Sequence, residues 1–192
     1  MSVWMAALAA PESGPRLHAA REIYDAGSAA ARVATRAWRK DADLARLFTG
    51  EPTVGVAVRP ERFEAIHRAN GSPKHAAAPP DEDVREFELH FPGGVSLDIL
   101  TPRQEQGSGA IARFLERHGE GVQQVELKVA DVDRAVALLQ EHFSISPVYA
   151  ESRAGADGAR VNFFLLPVPA ESGSVTGGKI LIELVQEPAG KN

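Results

Sequence analysis

At 192 residues, with 44% apolar and 24% charged side chains, the chain is long enough for one domain or two small ones and has an ordinary globular composition. A net charge of −5 gives no electrostatic case for nucleic acid or an anionic membrane, and the lack of cysteine excludes disulfides and thiolate metal sites. No stretch approaches the ~20 apolar residues of a spanning helix, so a cytoplasmic protein is expected.

The opening MSVWMAALAAPESG has the small residues of a short signal peptide but no basic start, and it is expected to be a frayed terminus. Residues 16–48 are rich in Ala, Arg and Leu and predict two helices interrupted near Gly27, with Leu17, Ile23, Val33, Trp38, Leu44, Leu47 and Phe48 as docking positions. Residues 1–50 are therefore expected to form a helical extension outside the rest, covering an edge or a dimer seam. From Pro52 the period changes. Residues 53–58 alternate as a strand, and 60–71 form a short helix with Pro60 at its start and Gly71 at its end. A loop over 72–83 precedes a hairpin of strands 84–91 and 95–101, turned at Pro92-Gly93-Gly94. A polar linker over 102–110 and an amphipathic helix over 111–119, closed by Gly119, complete the first half.

The second half repeats the plan. In 122–130, Val125, Leu127 and Val129 alternate with Gln124, Glu126 and Lys128, so one face is apolar and the other carries functional groups. Asp131 then sits at the N-cap of a helix over 131–143. A strand at 147–151, a glycine-rich loop SRAGADG, a strand at 161–167, a loop at 168–178 and a closing strand at 179–186 follow. TVGVAVRPER from Thr53 superposes without a gap on QVELKVADVD from Gln124, and SLDIL from Ser96 superposes on LIELV from Leu181. Such an internal repeat predicts an α+β fold of two paired βαβββ modules, 51–101 and 121–192, enclosing one cavity and joined by the helical linker 102–120. It places Thr53, Asp98, Gln124 and Glu183 at equivalent positions on the faces turned from the helices.

IARFLERHGEGVQQVELKVADVDRAV, ESRAGADGARVNFFLLP and GGKILIELVQ resemble the vicinal-oxygen-chelate superfamily of glyoxalases, extradiol dioxygenases and bleomycin-resistance proteins, and within it methylmalonyl-CoA epimerase. The resemblance is good over 110–187, weaker over 52–101 and absent before about residue 50. It implies a divalent metal at the four equivalent positions, held by His, Glu or Gln, His and Glu, which polarises a thioester carbonyl while a proton beside it is removed and returned. Glu183 matches that pattern and Asp98 is a shortened carboxylate, but Thr53 and Gln124 replace both histidines. The remaining oxygen donors, Asp98, Gln124 and Glu183, suit at most a weakly held magnesium, manganese or calcium ion, with no tightly bound zinc, cobalt or nickel.

The residues themselves extend this site. With the turn at Pro92-Gly93-Gly94, Glu88 lies opposite Asp98 and His90 opposite Ser96. Paired carboxylates share a proton or hold a cation, and His90 is a base near neutral pH; alternatively Glu86, Glu88 and His90 simply face solvent. Glu126 shares a face with Gln124 and is a candidate base, or else a cross-strand partner of Lys128 or Arg160. The catalytic candidates are thus Glu183, Glu126, His90 and Glu88, and the substrate-binding ones Gln124, Thr53, Arg153 and Gly155. His18, His67, His75, His118 and His142 have no metal-ligand spacing. The expected function is an epimerase-like isomerase, a homodimer acting on an acyl thioester or another enolisable carbonyl compound. The alternative is a metal-free protein that binds or sequesters a small molecule, as bleomycin-resistance proteins do.

Overall fold

The computed structural model describes residues 2–104, 107–168 and 178–188. The loop expected at 168–178 lies, over 169–177, outside these residues, as do residues 105 and 106 of the linker. The strands are β1 (Thr53–Ala57), β2 (Arg85–Phe91), β3 (Val95–Thr101), β4 (Gly121–Lys128), β5 (Arg153–Ala154), β6 (Arg160–Pro167) and β7 (Lys179–Gln186). They form one seven-stranded sheet in the order β2-β3-β1-β4-β7-β6-β5, curled into a cup. The repeat read from the sequence governs the pairing. β1 runs parallel to β3 with Gly55 beside Asp98, and β4 runs parallel to β7 with Glu126 beside Glu183. At the seam the antiparallel strands β1 and β4 pair Thr53 with Glu126 and Gly55 with Gln124, as the superposition of Thr53 on Gln124 requires. In the hairpin, Gly93 and Gly94 both take positive φ (85° and 74°), and Glu88 faces Asp98 while His90 faces Ser96.

Helices α1 (Ser2–Ala7), α2 (Ser13–Ala34), α3 (Ala42–Ala45), α4 (Pro60–Ala69), α5 (Ala110–His118) and α6 (Val132–Phe143) are arranged around this sheet. α6 starts where Asp131 accepts a 2.9 Å bond from the Arg134 amide, and it buries Val132, Ala135, Val136, Leu138 and Leu139. α4, opened by Pro60, buries Phe63 and Ile66. These helices cover the outer face of the sheet, whose Val54, Val56, Phe87, Leu97, Ile99, Val125 and Leu127 belong to the same apolar core. α5 instead packs Ile111 and Leu115 on Ala57, Val84 and Leu100, a small second cluster on the inner side that closes one end of the cup.

Four local expectations are corrected. The opening segment is a helix, α1, with Met5 and Leu8 fully buried rather than frayed. α2 runs unbroken through Gly27, because that glycine meets the sheet: a Cβ there would lie 2.7 Å from Val54 Cγ1. Val33, expected to dock, is exposed. The strand expected at 147–151 is irregular, since the Asn162 carboxamide takes over ladder bonds there, accepting from the Tyr149 amide and donating to its carbonyl. The short strand β5 falls inside the glycine-rich loop instead.

Candidate active site

The inner face of the sheet lines a cavity of about 1320 Å³. One row of register partners crosses it as Glu88, Asp98, Gly55, Gln124 and Leu181; a second contains Thr53, Glu126, Glu183 and Phe163. Gly55 is a packing necessity. A Cβ there would come within 2.6 Å of Gln124 Cγ, so the glycine lets the Gln124 side chain lie over β1. The Gln124 amide nitrogen donates to Glu183 Oε2, which ties the two positions together. Just beyond, the register slips: Gly55 faces Gln124 but Val56 faces Val122, leaving Gln123 as the extra residue of a β-bulge. Consecutive residues of a regular strand point to opposite faces, yet Gln123 and Gln124 both line the cavity. Both are only 8% exposed, and Gln123 Oε1 is buried without a hydrogen-bond partner.

The floor is acidic, with Asp98 and Glu183 buried and Glu86 and Glu126 partly so. Burial holds Glu183 well above the usual carboxylate range, and the neighbouring charges of Glu126 and Glu86 push it further. Burial raises Asp98 well above its range in the same way, with Glu86 and Glu126 adding to it. Burial with the charge of Glu82 raises Glu86 to about 7, and burial with the charges of Glu86 and Glu88 raises Glu126 to about 8. Lys128, which lines the same cavity, is held 2.6 Å from Glu187. In the unfolded chain Glu86 and Glu126 lose their protons near pH 4.5, whereas the folded protein keeps them to about 7 and about 8. The folded state therefore binds more protons in between, and stability falls as pH rises across that window. Calorimetry should find a melting temperature that declines from pH 4.5 to about 8, with a shallower decline in Glu126→Gln. A melting temperature flat or rising over this range would contradict the burial of these carboxyls.

The structure brings Glu88, Asp98, Gln124, Glu126 and Glu183 together, with Arg153 and Gly155 at the rim. Arg153 lies 2.8 Å from Glu82 and stacks over Tyr149 at 4.7 Å. Gly155 packs so tightly on Val161 that a Cβ would lie 2.6 Å from it. Thr53 is buried outside the cavity lining, its hydroxyl donating to Glu88 Oε1 at 3.4 Å. His90 is also outside the lining, on the exposed end of β2, 3.4 Å from Glu88 and 3.1 Å from Ser96 Oγ. Arg160 pairs with Asp133 at 2.9 Å and is no partner of Glu126. Sequence reasoning put Lys128 on the functional face of its strand without naming it a site residue, and left Glu86, which alternates with Glu88, out of the site; both line the cavity. Gln123 carried no signal, since only the bulge turns it inward. Also missed was the closure of the rim, where Ala77 and Asp157 exchange two hydrogen bonds, of 3.2 and 3.0 Å, between the 72–83 and 153–158 loops.

No family model and no curated protein matches the sequence. Among solved structures, methylmalonyl-CoA epimerase from Mycobacterium tuberculosis is 30% identical, with a TM-score of 0.57 over 74% of this chain and 90% of its own. The chain belongs to the vicinal-oxygen-chelate superfamily, in the branch of the methylmalonyl-CoA epimerases. A selenomethionine methylmalonyl-CoA epimerase (24% identity, TM-score 0.55, 74% and 97% coverage) has the same fold. So does the Streptomyces coelicolor methylmalonyl-CoA epimerase, solved as a variant in complex with 2-nitronate-propionyl-CoA (22%, 0.54, 74% and 99%). The four positions expected from the sequence to hold a metal, Thr53, Asp98, Gln124 and Glu183, do not present four free oxygen donors as arranged, Thr53 lying outside the cavity lining. The Gln124 amide turns its N–H, not an oxygen, toward Glu183, and the Thr53 hydroxyl is spent on Glu88. Among the described residues no group of three His, Asp or Glu side chains could hold a metal ion. No helix there is long and apolar enough to cross a membrane.

Proposed function

We propose that this protein is an isomerase-like enzyme that removes and returns a proton beside the carbonyl of an acyl thioester or related enolisable compound. The observation that supports it is the meeting of carboxyls from both modules on one cavity floor, Glu126 with Glu183 and the more exposed Glu88 with Asp98. A general base works best with a pKa near the operating pH, and Glu126, raised to about 8, meets that condition. It takes the α-proton as the C–H electron pair moves into the enolate. Glu183 and Asp98, kept protonated by burial, donate hydrogen bonds to the enolate oxygen, and a proton then returns to carbon. The degenerate metal site, with two imidazoles replaced, and the homodimer are part of this proposal; sedimentation of the purified chain tests the latter.

Incubating the protein in deuterated water with methylmalonyl-CoA and with an uncharged α-branched acyl thioester should give α-deuteration above the buffer rate. Glu126→Gln should remove it. Absence of exchange on both substrates would favour the second reading, a metal-free binding protein, which the size of the cavity and the aromatic Tyr149 and Phe163 at its wall support.

The loss of imidazoles can also be reversed. Thr53→His with Gln124→His restores the superfamily pattern, on a strand pair that already places both positions at the seam. Calorimetry on the double variant should detect zinc or cobalt binding that the parent lacks. A double variant with no affinity for either metal would mean that these strands hold the positions too far apart.

A further inference from the structure

Among the described residues, ten carboxyl side chains line the cup against five of lysine and arginine, and the cations are confined to its upper part. Lys74 on the 72–83 loop, Arg103 before α5 and Arg113 on it are exposed, so their charges stand at the mouth. Backbone carbonyls hold two of them there, Arg103 on Val84 and Arg113 on Ser108. Arg153 is matched at the rim by Glu82 and Asp81, and Lys128 by Glu187. Deeper in, none of Glu86, Asp98, Glu126 and Glu183 is in an ion pair among the described residues. The remainder of that inner face is apolar. β7 presents Leu181 and Val185 on either side of Glu183, and β6 sets Val161 opposite Val185 and Phe163 opposite Glu183. A group reaching the floor therefore meets carboxyls and hydrocarbon.

We propose that the acyl group this site takes is uncharged, carrying hydrocarbon on its α-carbon, and that the site selects against the malonyl type, which carries a carboxylate there. This rests on the isomerase reading of the cup and names its substrate class. A carboxylate gives up its hydration on entering such a place, and it does so at a loss unless a counter-charge or donors replace the water. In the proposed mechanism the thioester oxygen takes the two neutral acids, Asp98 and Glu183. An α-substituent is left with Glu86, Glu88 and Glu126, which when ionised only accept hydrogen bonds and repel a further negative charge. The exposed cations at the mouth are screened by solvent and do not compensate a charge on the floor. An alkyl substituent loses nothing to the acids and covers Leu181, Val161 and Phe163. Discrimination thus comes from repulsion of one class as well as from contact with the other.

The probes are isobutyryl-CoA and methylmalonyl-CoA, which share carrier, thioester and α-methyl group and differ by a methyl group in place of a carboxylate. Titrated calorimetrically into the full chain near neutral pH, isobutyryl-CoA should bind at least ~10-fold more tightly. Its α-hydrogen should exchange with deuterated water at correspondingly lower concentrations. Glu86→Gln, a position outside the proton transfer, should narrow the preference by strengthening methylmalonyl-CoA and leave isobutyryl-CoA unchanged. Should that variant fail to fold by circular dichroism, the preference of the parent decides. Equal affinities, a preference for methylmalonyl-CoA, or no binding of isobutyryl-CoA would overturn the proposal. Deuterium exchange without the preference would leave the isomerase reading standing and remove this one; the preference without exchange would do the reverse.

Discussion

Glu183→Gln should fold as the parent does and lose about 10²–10⁴ of any α-proton exchange, the usual worth of a positioned acid or base. The fold survives because burial already keeps the carboxyl protonated near neutral pH, so an amide replaces a neutral group of nearly the same shape. The Gln124 N–H still finds a side-chain oxygen on β7 to accept its bond. What the amide cannot do is stabilise the enolate oxygen as a carboxylic acid does, because its N–H is a far weaker acid and donor. If the protein only binds its ligand, the same change should weaken binding by at least ~10-fold, roughly 1.4 kcal/mol. The assays are deuterium exchange and calorimetry, with circular dichroism as the control on folding. A variant that folds, exchanges and binds like the parent would remove Glu183 from the site.

Removal of residues 1–48 should leave a chain that does not fold. The sequence reads as a helical extension beside two self-sufficient modules, but packing joins the parts. Met5, Leu8, Ile23, Trp38 and Leu44 are buried in the same core as β1 and β4. Trp38 meets Phe164 of β6 edge to face at 5.6 Å. Gly27 lets α2 approach within contact of Val54 and Val122 on either side of the seam. Five large buried side chains at roughly 1.5–3 kcal/mol each amount to about 10 kcal/mol, comparable with the whole stability of a domain, about 5–15 kcal/mol. The segment after α3 even continues the sheet, with Phe48 bridged to Val129 and the Thr49 amide donating to the Lys128 carbonyl at 2.9 Å. Circular dichroism of the truncated chain is the check: a native spectrum with a cooperative melt would show that the modules stand alone.

What was legible in the sequence was periodic or repeated. Alternation gave the inner face of β4, and superposing the halves gave equivalent positions that the structure then pairs alike, Gly55 beside Asp98 and Glu126 beside Glu183. The turn glycines fixed the hairpin register, and with it Glu88 against Asp98. What escaped depended on tertiary contact. Gly27 looks like a helix breaker in isolation and is a point of close approach once β1 lies beneath it. Gln123 breaks the alternation because the chain slips by one residue against β1, which no local pattern announces. Asn162 supplies side-chain bonds in place of backbone ones, so the strand expected at 147–151 never forms. Of the positions named from the sequence, Glu88, Asp98, Gln124, Glu126 and Glu183 line the cavity, whereas Thr53 and His90 do not. Their environment could not be named, because burial and crowding of charge exist only once both modules close over them.

Gly55 and Glu126 hold equivalent places in the two halves, and one of them has no side chain. The cup thus repeats its strand plan but, apart from the bulge at Gln123, differs most between its halves in chemistry. A flat enolate lying across the seam would meet different groups above and below: Glu126 and Glu183 toward β7, Asp98 and Glu88 toward β2. Its two prochiral faces would thus be served by unlike acids, and the two enantiomers of a substrate would exchange their hydrogen at unequal rates even though the position of equilibrium is untouched. A single missing side chain, needed to seat Gln124, gives a two-fold scaffold its sense of left and right.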